Sequence, residues 1–122
     1  MRRTKDIETK LYEELTAKGY HVSAHVIPTT LAKNLPHVHI TRTGGFTADL
    51  VVETHQVSFD IYAKNADEAM ETACKLTGDI RSLDNVHYAE VVTLPYHNPD
   101  PRHPTLPRVT FNSQIITRPQ ED

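Results

Sequence analysis

Apolar and polar residues recur along this chain with two periods, and the switches between them divide it into helices and strands. From Asp6 to Lys18, Ile7, Leu11 and Leu15 return every four residues, which predicts a helix with one narrow apolar stripe and a stop at Gly19. Residues 20–27 then alternate, with Tyr20, Val22, Ala24 and Val26 against His21, Ser23 and His25, the period of a strand that Pro28 ends. Alternation resumes over residues 37–42, with Val38 and Ile40 on one side and His37, His39 and Thr41 on the other. Gly44-Gly45 predicts a tight turn. The segment from Leu50 to Ala63 reads as one long strand carrying Val57, Phe59 and Ile61 on one face, with a bend expected near Thr54 and His55. Asn65, with Glu68 three residues on, approximates a capping box for a second helix. Its stripe runs through Ala66, Ala69, Met70, Ala73, Leu76, Thr77 and Ile80, and Gly78 marks an end or a kink. Strands follow at residues 86–94 and 109–117. Between them, prolines at 95, 99, 101, 104 and 107 predict a stiff loop, and the tail from Pro119 is expected to fray.

Helix, strand, strand, strand, helix, strand, strand lacks the steady alternation of a doubly wound sheet. It predicts an α+β layer, a mostly antiparallel sheet with two helices on one face. A chain of 122 residues makes one domain with a core of its own. Its net charge of −3 is far from the clustered basic excess of a nucleic-acid binder. No apolar run reaches membrane-spanning length, and the opening MRRTKDIETK lacks the apolar centre of a secretion signal, so synthesis in the cytoplasm is expected.

Of eight histidines, His37 and His39 share one strand face and could begin a metal site, with His21, His25, Asp49 or Glu53 as a third ligand. The plainer reading places both on the solvent side of a half-buried strand, with no helical HExxH or paired CxxC beside them. Cys74, the lone cysteine, falls in an alanine-rich helix and reads as a small core residue and not as a nucleophile. Gly44-Gly45 is too short for a phosphate loop. No cofactor and no catalytic residue is expected. Loops lie at surfaces, so Arg42, Gly44, Gly45, Phe46 and Asp49 around the double glycine are candidate contacts to a neighbouring subunit or partner. Tyr96, His97, Arg102 and Arg108, in and beside the proline loop, are candidates on the same ground.

Three stretches together resemble a known family. P-x-V-x-I-x-R-x-G-G, at Pro36, Val38, Ile40, Arg42, Gly44 and Gly45, is followed by Asp49. Val57 to Ala73 runs from an alternating strand through a cap into an alanine-rich helix, and the chain closes on RVTFNSQIITRP from Arg108 to Pro119. In this order they resemble the tail terminator (tail completion) proteins of long-tailed bacteriophages, over residues 5–119; the proline loop departs from that pattern. The resemblance implies a structural virion protein of no enzymatic activity. It would form a ring, usually a hexamer, on the head-proximal end of the tail tube. Its partners would be copies of itself, the tail tube protein and a neck or head-completion protein, with DNA only passing through the channel and no membrane. A head–tail connector of related design is the nearest alternative. A small metal-dependent enzyme using His37 and His39, and a small ligand-binding or regulatory domain, stand further off.

Overall fold

The computed structural model describes residues 2–3, 6–47, 52–84, 86–118 and 120–121. The elements in order are β1 (Arg2–Arg3), α1 (Ile7–Ala17), β2 (His21–Ala24), β3 (His37–Thr47), β4 (Glu53–Tyr62), α2 (Ala66–Arg81), β5 (Tyr88–His97), β6 (Arg108–Thr117) and β7 (Gln120–Glu121). Five strands form one sheet in the order β2-β3-β4-β6-β5. Every pairing is antiparallel except β2 with β3, which is parallel. This is the α+β architecture that the periodicity predicts.

The stripes find each other across one face. Ile7, Leu11 and Leu15 of α1, with Ala69, Ala73, Leu76 and Ile80 of α2, join Val38, Ile40, Val57, Phe59, Ile61, Val109, Phe111 and Ile115 of the sheet in a single core. Register places Val38, Ile61 and Val109 in one row across three strands, and Ile40, Phe59 and Phe111 in the next. The rings of Phe59 and Phe111 stack at 5.0 Å between centroids. Alanine at positions 69 and 73 lets α2 approach the strands closely. Asn65 caps this helix as predicted, its side chain accepting from the Glu68 N–H at 2.8 Å. The Tyr20 hydroxyl bonds to Asp79 and so ties the end of α1 to α2.

Several local expectations are corrected. Gly44 and Gly45 lie inside β3, opposite Gln56 and His55, and are not a turn. The irregularity falls between Arg42 and Gly44, on the strand facing the expected bend at Thr54 and His55. A side chain at Gly45 would have its Cβ 2.5 Å from the Thr54 carbonyl oxygen, so close approach of β4 is what demands glycine there. Gly78 neither ends nor kinks α2, which continues to Arg81. Pro95 sits within β5; that strand is at the sheet's edge, where a missing N–H leaves no ladder bond unmade. Tyr96 and His97 therefore belong to a strand and not to the loop. Gln120 and Glu121 of the expected frayed tail pair with Arg3 and Arg2. Cys74 is exposed on the outer side of α2, because the inward stripe is already filled by Ala69, Ala73, Leu76, Thr77 and Ile80.

Candidate functional site

Among the described residues, two of three buried polar sites lie on the sheet face opposite the helices. Register aligns Ser23, His39, Asp60, Thr110 and Tyr96 in one row across all five strands, and His21, His37, Tyr62 and Arg108 in the next. His37 and His39 are buried, at 4% and 6% exposure, which corrects their expected place on a solvent face. Sequence periodicity assigned them the right side of the strand and missed what lies over it.

Both imidazoles converge on one hydroxyl. Ser23 Oγ lies 2.7 Å from His39 Nδ1 and 2.8 Å from His37 Nε2. A hydroxyl has one hydrogen to give and two lone pairs, so at most one ring accepts from Ser23 and at least one donates to it. His37 Nδ1 is buried without a partner. A bare lone pair is less costly there than an unmatched N–H. This selects the tautomer in which His37 Nε2–H donates to Ser23, which leaves the hydroxyl hydrogen free for His39 Nδ1. Burial lowers the pKa of His37 to about 4, with the charges of His39 and His21 adding to the effect. Burial also lowers His39, with partial relief from Asp60 and Glu8.

Beyond His39 the row opens into a groove of about 520 Å³. His39, Thr41 and Asp60 line it from the sheet, His25 to Thr29 from the β2–β3 crossover, and Arg102 and His103 from the proline loop. The Asp60 carboxylate accepts from the Thr110 hydroxyl at 2.6 Å, and Thr110 Oγ1 in turn accepts from Asn98 Nδ2 at 3.1 Å.

The proline loop folds back onto the same face around Asp100, which is 3% exposed. The Tyr62 hydroxyl donates to it at 2.9 Å, the Arg102 backbone N–H at 3.0 Å and Arg102 Nε at 3.2 Å, while Arg108 Nη1 lies 3.4 Å away. Burial alone would push this carboxyl up; these donors outweigh it and hold Asp100 well below the usual carboxylate range. His103 meets the Tyr62 ring edge-on at 5.7 Å, and Tyr62 is wholly buried beneath the loop.

A third polar site lies at the far end of the helix face. Arg42 Nε can only donate, so at 3.2 Å it requires a bare His55 Nδ1, and His55 Nε2–H then donates to Thr117 Oγ1 at 3.0 Å. Burial lowers the pKa of His55, and Arg42 lowers it further.

The predicted residues fare unequally. Arg42, Gly45 and Phe46 are exposed on β3, Gly44 is half-buried beside them, and Asp49 lies outside the described residues. Tyr96 and His97 are exposed on β5. Arg102 is exposed but tethered to Asp100. Arg108 is turned inward, its side chain 14% exposed and its Nε donating to the Asn98 carbonyl at 2.6 Å. The expected excursion is thus a lid on the sheet. For a metal, Ser23 holds His37 Nε2 and His39 Nδ1, the two nitrogens that converge, so an ion shared between those two would have to displace its hydroxyl. Among the described residues the grouping of three donors within 4.8 Å is Asp6, Glu8 and His25, none of them buried. Sequence reasoning did not single out Ser23, Tyr62 or Asp100. Alternation did put Ser23 on one side with His21 and His25, but nothing in that pattern signals its partners.

Neither the models of known protein families nor the curated proteins provide a match to this chain. Among the described residues no helix is long and apolar enough to cross a membrane.

Proposed function

We propose that this chain is a structural virion protein that assembles as a ring on the head-proximal end of a long phage tail, where it ends growth of the tube and joins tail to neck. The reading starts from the resemblance carried by Pro36 to Gly45, Val57 to Ala73 and Arg108 to Pro119. The observation that carries it further is how the chain disposes of its polar groups. Ser23 is shared between two histidines, Asp100 is surrounded by its own donors, and His55 is used on both nitrogens. Groups bonded in this way hold loops and strands in place.

What the protein turns outward is strand edge. β3 pairs with β2 only as far as Ile40, so among the described residues no strand pairs with Thr41 to Thr47 on that side or with the outer side of β5. Such edges suit contacts between subunits and with a tube. A net charge of −3 is compatible with a channel through which DNA slides without being gripped.

Tube length tests this. Tail tube protein from the same genome is polymerised with and without the chain, and the tubes are imaged. The reading predicts shorter tubes with added density at one end only. An unchanged length distribution with bare ends would overturn it.

A further inference from the structure

His37 has one ring nitrogen that the fold itself does not use. Nε2 is spent on Ser23, while Nδ1 is buried without a partner in a residue only 4% exposed. Buried polar atoms nearly always find a partner, and one left over calls for a water or an ion. A bare lone pair on a neutral imidazole is the commonest of metal ligands.

The surroundings of Nδ1 favour an ion. His37 lines a hollow of about 280 Å³ at the start of β2, together with Tyr20, His21, Val22, Pro28 and Asn34. Ser23 lies outside that hollow, so Nδ1 is the nitrogen His37 has left for it. His21 and His37 are register partners in the parallel pair of β2 and β3. Neighbouring strands run about 4.8 Å apart. Two imidazoles at that spacing on one face can each bring a nitrogen to the roughly 2.0–2.1 Å that zinc requires. The two rings are close, since the charge of His21 acts on His37, and His21 is exposed, so its ring is free to turn. Asn34 adds a side-chain carbonyl oxygen on the same hollow, and water completes the coordination.

The other side of His37 is built as it is in metal-binding histidines. Its Nε2–H donates to the Ser23 hydroxyl at 2.8 Å, which fixes both the ring and its tautomer. Ser23 is in turn 2.7 Å from His39 Nδ1, so the hydroxyl is itself held. The described residues of the hollow include no carboxylate. Two imidazoles and an amide suit a transition ion; calcium and magnesium take hard oxygen ligands.

We propose that His37 Nδ1 and a ring nitrogen of His21 bind one divalent transition ion of the zinc or nickel kind, with Asn34 beside them. The ion ties the short edge strand β2 to β3 at their first residues. Ser23 keeps its hydrogen bonds, unlike in a site shared by His37 and His39. This site rests on the environment of His37 and is independent of the tail reading.

The test is titration calorimetry of the full chain with zinc chloride and, separately, with nickel chloride. One ion per chain is expected for at least one of the two. His21→Ala removes an exposed ligand and is expected to weaken binding by at least about a hundredfold, the upper range for loss of a mere outer-shell partner. His37→Gln is expected to do the same. Its amide nitrogen stands where Nε2 stood, so the bond to Ser23 is kept while the Nδ1 ligand is lost. Ser23→Ala frees the ring without deleting a ligand and is expected to cost roughly tenfold. His25→Ala, which breaks up the exposed grouping of Asp6, Glu8 and His25, is expected to change nothing. Cobalt(II) added to the wild type should broaden the His21 and His37 ring signals first in the NMR spectrum. Thermal melting verifies that each variant is folded; if His37→Gln is not, His21→Ala and the cobalt spectrum decide. Failure of both zinc and nickel to bind overturns the proposal. So does binding that survives His21→Ala, binding that is lost with His25→Ala, or cobalt broadening that starts at other histidines.

Discussion

On the helix face, Val38, Ile40, Phe59, Ile61, Val109 and Phe111 meet the stripes of α1 and α2, and nearly every contact is between apolar groups. On the opposite face the same strands carry Ser23, His37, His39, Asp60, Tyr62 and Thr110, and the proline loop is fastened over part of them by hydrogen bonds. One face is held by burial, which is non-directional and degrades gradually. The other is held by groups that must each find a partner, and it fails where one is removed. The first is written in the sequence as a period; the second as pairs far apart in the chain.

The difference is sharpest if one residue is deleted from each face. Phe59→Ala leaves a cavity beside Phe111 and is expected to lower unfolding free energy by about 4 kcal/mol, with amide exchange faster throughout the molecule. Asp100→Ala leaves the Tyr62 hydroxyl without its acceptor and the inward-turned Arg108 without its counter-charge, at about 3 kcal/mol. Its signature is local. The His103 and Leu106 amides, bonded within the loop, should lose protection while β4 and β6 keep theirs. A global response to Asp100→Ala would erase the distinction between the faces.

Acid should break the polar face first. The folded pKa of His37 is lowered from 6.5 to about 4, and that of its neighbour His39 is lowered as well; His55, on the helix face, is lowered too. The unfolded chain thus takes up protons before the folded one, and stability falls as pH drops from 6.5 toward 4, by up to roughly 3 kcal/mol for His37 alone. Asp100 belongs to a lower window. Its folded pKa is depressed below 3.8, so its contribution is intact above that pH and is lost only in stronger acid. Urea midpoints measured from pH 7 to pH 4.5 should decline steadily; a flat profile would mean that the histidines are not held neutral.

Smaller changes refine the picture. Ser23→Ala removes the hydroxyl between two rings and should cost about 2 kcal/mol, more than serine to alanine on a solvent face, because both imidazoles lose a partner. Gly78→Ala, at an exposed position inside α2 with open space around the new methyl, should raise stability by up to about 1 kcal/mol. Thermal melts check both.

The helix face was legible for the reason this comparison suggests. Ile7, Leu11 and Leu15, or Val57, Phe59 and Ile61, identify their elements through spacing alone, and both helices and the strand order of burial follow. The polar face was not legible because its determinants are separated in sequence. Tyr62 reaches Asp100 across 38 residues, and Ser23 reaches His39 across 16. Until the loop is known to fold back, a histidine alternating with valine is assigned to solvent, as His37 and His39 were. The double glycine misled for a related reason. Turn and strand both use glycine, and only the approach of the Thr54 carbonyl shows which use applies at Gly45. The contact residues divide along the same line: Phe46 and Tyr96 remain on open edges, whereas Arg108 is spent inside the lid.

That the chain works by assembling is tested most directly by light scattering of the wild-type protein across concentration, with negative-stain imaging of the same samples. The expected result is a discrete closed ring with an open centre, of one stoichiometry that does not grow further as concentration rises. A monomer at every concentration, or an open filament of unlimited length, would contradict it.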